Sequence, residues 1–133
     1  MPFSIEFEKH EVYRSLEPGI TIGTTLHYGG QTLNCEAKVD TGSEVCLFSR
    51  DCADALEIDI EKGFKETFRT LTGHVAAFAH DMEIETLGLR LETIVFFAES
   101  YDIKRNLLGR QGWLQLLRLG LIDYNSSIFI GRY

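Results

Sequence analysis

Ala37-Lys38-Val39-Asp40-Thr41-Gly42-Ser43 is the stretch on which the reading of this chain turns. It continues an alternation in which Leu33, Cys35, Ala37 and Val39 lie on one side and Asn34, Glu36 and Lys38 on the other. Period two is the signature of a half-buried strand. That strand runs straight into Asp-Thr-Gly-Ser. Asp, Gly and Ser all favour turns, so the motif alone reads as a strand-ending bend. The rest of the chain decides whether it is more.

Upstream, Ile20, Ile22, Thr24 and Leu26 alternate on a preceding run, separated from the first by His27-Tyr28-Gly29-Gly30-Gln31. Adjacent glycines accept the positive φ of a tight turn, so the two runs pair as an antiparallel hairpin. Phe3, Ile5 and Phe7 alternate with Ser4, Glu6 and Glu8 and predict an N-terminal strand. Downstream, Ser49 is placed to cap a short helix over residues 50–56, with Cys52, Ala55 and Leu56 on one face. Residues 64–71 and 75–87 read as strands around the turn Thr72-Gly73-His74. Residues 89–97 follow as a strand, and Ile94-Val95-Phe96-Phe97 is apolar enough for burial on both faces. A helix is predicted over 111–119, carrying Trp113, Leu116 and Leu117, with Gly120 as its C-cap. Residues 127–130 close the chain as a strand. The expected fold is all-β, a small closed or partly closed barrel with one late C-terminal helix.

Composition narrows the function. At 133 residues, 44% hydrophobic, the chain is the size of one domain with its own core. Its longest apolar run, residues 94–98, falls far short of the ~18 residues of a membrane span. The first ten residues show no apolar stretch of the secretory kind. A net charge of −7 argues against nucleic acid, whose phosphates draw clustered Lys and Arg. Three cysteines, Cys35, Cys46 and Cys52, form neither an even framework nor a C-x-x-C pair. They read as structural thiols in a reducing compartment, so a cytoplasmic location is expected. His10, His27, His74 and His80 lack H-x-x-x-H or H-E-x-x-H spacing, so no metal is expected. Ser43 lies in Thr-Gly-Ser-Glu-Val, without the flanking glycines of a nucleophile elbow.

Further along stands Asn106-Leu107-Leu108-Gly109-Arg110, just before Trp113. Together with Asp40-Thr41-Gly42-Ser43, this segment resembles the retropepsin-like aspartic proteases, the single-domain relatives of pepsin. That family shows an apolar strand, Asp-Thr/Ser-Gly, a flap hairpin, then two apolar residues and Gly before a helix. The resemblance covers residues 19–133, leaving 1–18 as an N-terminal extension or interface strand.

The resemblance implies a homodimer with no cofactor, acting on peptide or protein substrates. Two carboxylates flank one water in such a site, and at about 3 Å apart they share one proton. Asp40 is the sole Asp of that motif, so its mate comes from a second copy of the chain across a two-fold axis. By the same resemblance Thr41 bonds across the axis and the Gly42 carbonyl accepts a substrate N–H. Ser43 donates to Asp40 and lowers its pKa, which implies an acid-shifted activity. Glu44 and Arg110 pair to tie the loop to the late helix, and Thr72, Gly73 and His74 form the flap over substrate. The terminal strands, around 3–7 and 128–130, contribute to the dimer. Two alternatives stand beside this: a catalytically inactive dimerisation or peptide-binding module of the same fold, and an unrelated β-barrel ligand-binding domain.

Overall fold

The computed structural model describes residues 1–14, 18–71 and 73–133. After a short strand β1 (Lys9–Val12), the two alternating runs form β2 (Thr21–Tyr28) and β3 (Gln31–Val39), paired antiparallel from Thr21↔Lys38 to Tyr28↔Gln31. Gly29 and Gly30 make the turn at φ of +52° and +86°, the two positive values that a tight primed turn demands. Next come β4 (Leu47–Phe48) and α1 (Arg50–Ala55), then the strands β5 (Phe64–Thr70), β6 (Gly73–Thr86) and β7 (Leu89–Ala98). The chain finishes with β8 (Leu107–Leu108), β9 (Leu117–Ile122) and β10 (Ser127–Arg132).

Seven of these strands make one sheet in the order β2-β3-β8-β4-β7-β6-β5, and β2 also pairs with β6. That extra ladder, Thr24↔Thr86 to His27↔Glu83, closes the sheet into a ring and leaves β5 hanging from β6 as an outer arm. The all-β expectation holds: strand makes up 54% of the structure and helix 12%. Trp113, Phe48, Phe97, Ile22 and Leu26 fill the barrel, all fully buried. The indole N–H of Trp113 donates to Thr86 Oγ1 at 3.1 Å, so this large polar edge inside the core is satisfied. A separate small cluster joins Val45, Ala77 and Phe96, with Phe68 set edge-on to the Phe96 ring at 5.1 Å.

Several local expectations are corrected. The late helix over 111–119 is a single 3-10 turn, Leu114–Leu116, followed by β9. Trp113, Leu116 and Leu117 suit a helical face, but Leu117-Arg118-Leu119 also alternates, and the edge of β10 supplies a ladder of hydrogen bonds that decides for strand. Gly120 is therefore not a C-cap; it sits in β9 under the ring of Phe7, where an added Cβ would come within 2.7 Å of that ring. The N-terminal strand lies at β1 rather than over 3–7: Phe3 and Ile5 are exposed, while Phe7 packs on Phe129. In α1 the buried face is Cys52, Ala53 and Leu56 rather than Ala55, and the Ser49 hydroxyl meets Cys52 Sγ at 3.3 Å instead of capping an N–H. Val95, Phe96 and Phe97 are buried as expected, whereas Ile94 is half exposed.

The terminal strands form their own sheet, β1-β10-β9, in which β10 is central. Both of its edges are thus taken within one chain, so an interleaving of termini between subunits would first have to displace β1 or β9. Among the described residues no helix is long and apolar enough to cross a membrane.

Candidate functional site

Asp40 stands at the point where β3 leaves the barrel. Val39 N–H donates to the Ile20 carbonyl at 2.8 Å, and Asp40 N–H to the Leu108 carbonyl at 2.9 Å. The parallel pairing of β3 with β8, Lys38↔Leu107 and Val39↔Leu108, holds that exit in register. Beyond it the chain bends sharply. Gly42 N–H donates to Asp40 Oδ1 at 3.0 Å and Ser43 N–H to the Asp40 carbonyl at 3.1 Å, so the carboxylate is oriented by its own turn. Asp40 is half-buried, while Thr41 and Gly42 are exposed around it.

The second half of the site is the strand–glycine segment after Asn106. Arg110 N–H donates to the Ser43 carbonyl at 2.9 Å and Gln111 N–H to the Glu44 carbonyl at 2.8 Å, and Val45 and Gln111 form a parallel bridge. Gly109 makes this approach feasible: a Cβ there would lie 2.1 Å from the Val45 carbonyl oxygen and 2.8 Å from that of Ser43. Cys46 sits beneath, accepting the Gly109 N–H at 3.4 Å, and burial pushes its thiol up to about 12.

Asn106 has a role that the sequence did not declare. Its Oδ1 accepts the Ser49 N–H at 3.0 Å and its Nδ2 donates to the Glu36 carbonyl at 3.0 Å, clamping α1 to β3. A polar residue held directly before an apolar strand was the available signal. The Cys52 thiol also reaches Asn106 Oδ1, at 3.7 Å. A hydrogen bond from Cys35 lowers the Cys52 thiol, against burial, with help from the Ser49 hydroxyl; the same bond raises Cys35. All three cysteines are free.

Two expected side-chain roles do not materialise. The Ser43 hydroxyl donates to the Val45 carbonyl at 2.7 Å, so its single proton is not available to Asp40, and the basis for an acid-shifted profile disappears. Glu44 and Arg110 are both exposed and form no ion pair among the described residues; the backbone bonds of Ser43 and Glu44 already tie the loop to its neighbour. Solvated charges gain little from pairing.

β5 and β6 form a hairpin at the position where a flap is expected. Its ladder runs from Phe64↔Ala79 to Thr70↔Gly73, with Gly73 at φ of +135° and its carbonyl accepting from Thr70 Oγ1 at 3.0 Å. Gly73 and His74 are exposed and Leu71 projects fully into solvent; Thr72 lies outside the described residues. The structure thus brings Asp40, Thr41, Gly42, Ser43, Glu44 and Arg110 into one loop pair, and leaves Gly73 and His74 on a separate arm. Among the described residues, no group of three His, Cys, Asp or Glu side chains is placed to hold a metal ion. What the loop offers is an oriented carboxylate, a group suited to accepting a proton from water.

Residues 24–111 match the model of a family described as aspartyl protease. The match runs from within β2 to the Val45–Gln111 bridge and stops before the terminal sheet. No curated protein matches the chain.

Proposed function

The chain belongs to the aspartyl protease family, and from that premise we propose that it is a homodimeric aspartic endopeptidase in which two Asp40 carboxylates, one per subunit, activate a water for attack on a peptide bond. The observation that carries this reading is the fixed carboxylate: Asp40 is held by the Leu108 carbonyl through its own N–H and by the Gly42 N–H through Oδ1. A catalytic base must be aimed before it can work.

The chemistry follows from pairing two such groups. Side by side, they hold one proton between them. The ionised member takes a proton from the water as the oxygen attacks the scissile carbonyl, and the protonated member donates to that carbonyl oxygen. Collapse of the tetrahedral species returns a proton to the leaving amine. No covalent intermediate and no cofactor are required. Thr41, exposed beside Asp40, reaches across the two-fold axis, and the Gly42 carbonyl receives a substrate N–H. Gly73 and His74 close over an extended peptide held by strand-like hydrogen bonds. Because β10 is flanked by β1 and β9 in its own chain, the subunits meet through the active-site loops and the outer edges of the terminal sheet.

The test is incubation of the purified chain with a mixed peptide library from about pH 3 to 8, beside Asp40→Asn and a statine-type inhibitor, with sedimentation in parallel. Cleavage lost in Asp40→Asn and blocked by the inhibitor supports the proposal. A stable dimer without cleavage at any pH leaves a peptide-binding module, and a strict monomer removes the two-carboxylate site.

A further inference from the structure

A cleft of about 850 Å³ lies over the outer face of β5, β6 and β7. Its floor is apolar, with Phe64, Ile94 and Leu116 exposed to 70%, 49% and 39%. Its charged groups are of one sign: Glu66, Asp81 and Glu92. Four carboxylates elsewhere are matched within the chain, Glu36 to Arg14, Glu83 to Arg90, Glu99 to Lys65 and Asp51 to Lys104. Among the described residues the three in the cleft have neither a cation nor a hydrogen-bond donor. Arg90, two residues from Glu92, is committed to Glu83 at 2.6 Å.

Position gives the cleft its meaning. One wall is Val45 with Gln111 and Gly112, the direct continuations of the two segments that hold Asp40. The opposite wall is the flap arm β5. The cleft thus borders both the β5 arm and the continuations of the segments that hold Asp40. A second hollow, of about 660 Å³, shares Phe64, Asp81 and Ile94 and extends the floor toward Glu57, Asp59 and Lys62.

We infer that this cleft is an acidic exosite that binds a stretch of the substrate peptide beyond the scissile bond, one carrying Lys or Arg beside apolar side chains. The inference rests on the protease reading for its occupant and not for its chemistry. The exposed Phe64, Ile94 and Leu116 side chains give a bound peptide apolar surface to cover. Three unmatched carboxylates select the charge of what covers it, repelling acidic peptides more than they add raw affinity. Long cationic side chains suit both parts, laying their methylenes on Phe64 and Ile94 while their heads reach the carboxylates.

Binding is measured first without cleavage, by fluorescence anisotropy of labelled peptides on Asp40→Asn. Three peptides share one apolar sequence and differ only in Lys, Gln or Glu beyond the central bond. The Lys peptide is expected to bind about tenfold more tightly than the Glu peptide, and the preference to shrink as salt rises from ~50 to ~500 mM. A triple Glu66→Gln, Asp81→Asn, Glu92→Gln variant, near-isosteric and on exposed positions, removes the preference. Equal binding of the three peptides, or a preference that survives in a triple variant whose melting matches the parent, overturns the exosite. On the Asp40 enzyme the same three peptides are compared by kcat/KM. Selective binding without cleavage leaves the exosite standing and defeats the protease. Cleavage indifferent to the distal charge does the reverse.

Discussion

The N–H of Asp40 donates to the carbonyl of Leu108 at 2.9 Å, joining two segments nearly seventy residues apart in the chain. That bond is the hub of the site. On one side it ends the β3–β8 ladder; on the other it starts the bend whose Gly42 N–H orients Asp40 Oδ1. The Asp-Thr-Gly loop is positioned by the Leu-Leu-Gly segment through backbone bonds, with Cys46 Sγ and the Asn106 side chain bracing the strands on either side.

Gly109 tests that dependence. Its backbone is unexceptional in φ, so the constraint is space: any Cβ collides with the Val45 and Ser43 carbonyls. Gly109→Ala forces the two segments apart and is expected to cost about 1–3 kcal/mol, the usual penalty of overpacking. Urea melts read the stability and peptide cleavage reads the loop. A fully stable and fully active Gly109→Ala would show that the contact is slack.

Ser43 yields a prediction opposite to the one its motif suggests. With its proton on the Val45 carbonyl, the hydroxyl supports the loop and not the charge of Asp40. Ser43→Ala should lower stability by about 0.5–1.5 kcal/mol and leave the acid limb of the pH–rate profile in place. A shift of that limb by a full pH unit would restore the hydroxyl to Asp40.

These residues show what a sequence can and cannot carry. The hairpin around Gly29-Gly30 and the strand into Asp40 were legible because alternation and turn chemistry agree locally. Position 111–119 was not, since Trp113, Leu116 and Leu117 fit two periods and the edge of β10 chose between them. Membership of Asp40, Gly42 and Gly109 in one site followed from their motifs. The partner of the Ser43 hydroxyl, the clamp made by Asn106 and the lack of a Glu44–Arg110 pair depend on angles and solvent exposure that spacing does not encode.

The buried indole gives a stability prediction independent of function. Thr86→Val keeps the shape and removes the acceptor of the Trp113 N–H, stranding a donor in a dry core. The expected loss is about 1–3 kcal/mol. Thr86→Ser should recover the hydrogen-bond part. If Val and Ser substitutions melt alike, the bond contributes nothing.

Tyr13 makes the terminal sheet sensitive to alkali. Its hydroxyl donates to Asp123 Oδ1, tying the end of β1 to the turn before β10, and that bond, then burial, raises the phenol to about 12 from 10. The folded state therefore prefers the neutral phenol. Its contribution is complete below pH 10 and is lost as pH rises through about 12. Tyr13→Phe should melt below the parent at pH 8, with the two curves converging between pH 10 and 12. A gap that is constant with pH would mean the hydroxyl acts by packing alone.

The proposed pairing of Asp40 across a two-fold axis has a consequence that a self-sufficient chain would not show. Mixing parent with an equal amount of Asp40→Asn and allowing subunits to exchange gives parent, hybrid and variant dimers in about a 1:2:1 ratio. Only the first holds two carboxylates. Activity at fixed total chain should therefore fall to about one quarter of the all-parent value, against about one half if each chain works alone. Thr41, predicted to bond across the same axis, supplies the control: Thr41→Ala should weaken the dimer and make the activity per chain fall on dilution, with sedimentation recording the dissociation. An activity of one half in the mixed sample, unchanged on dilution, would place the whole site within one subunit.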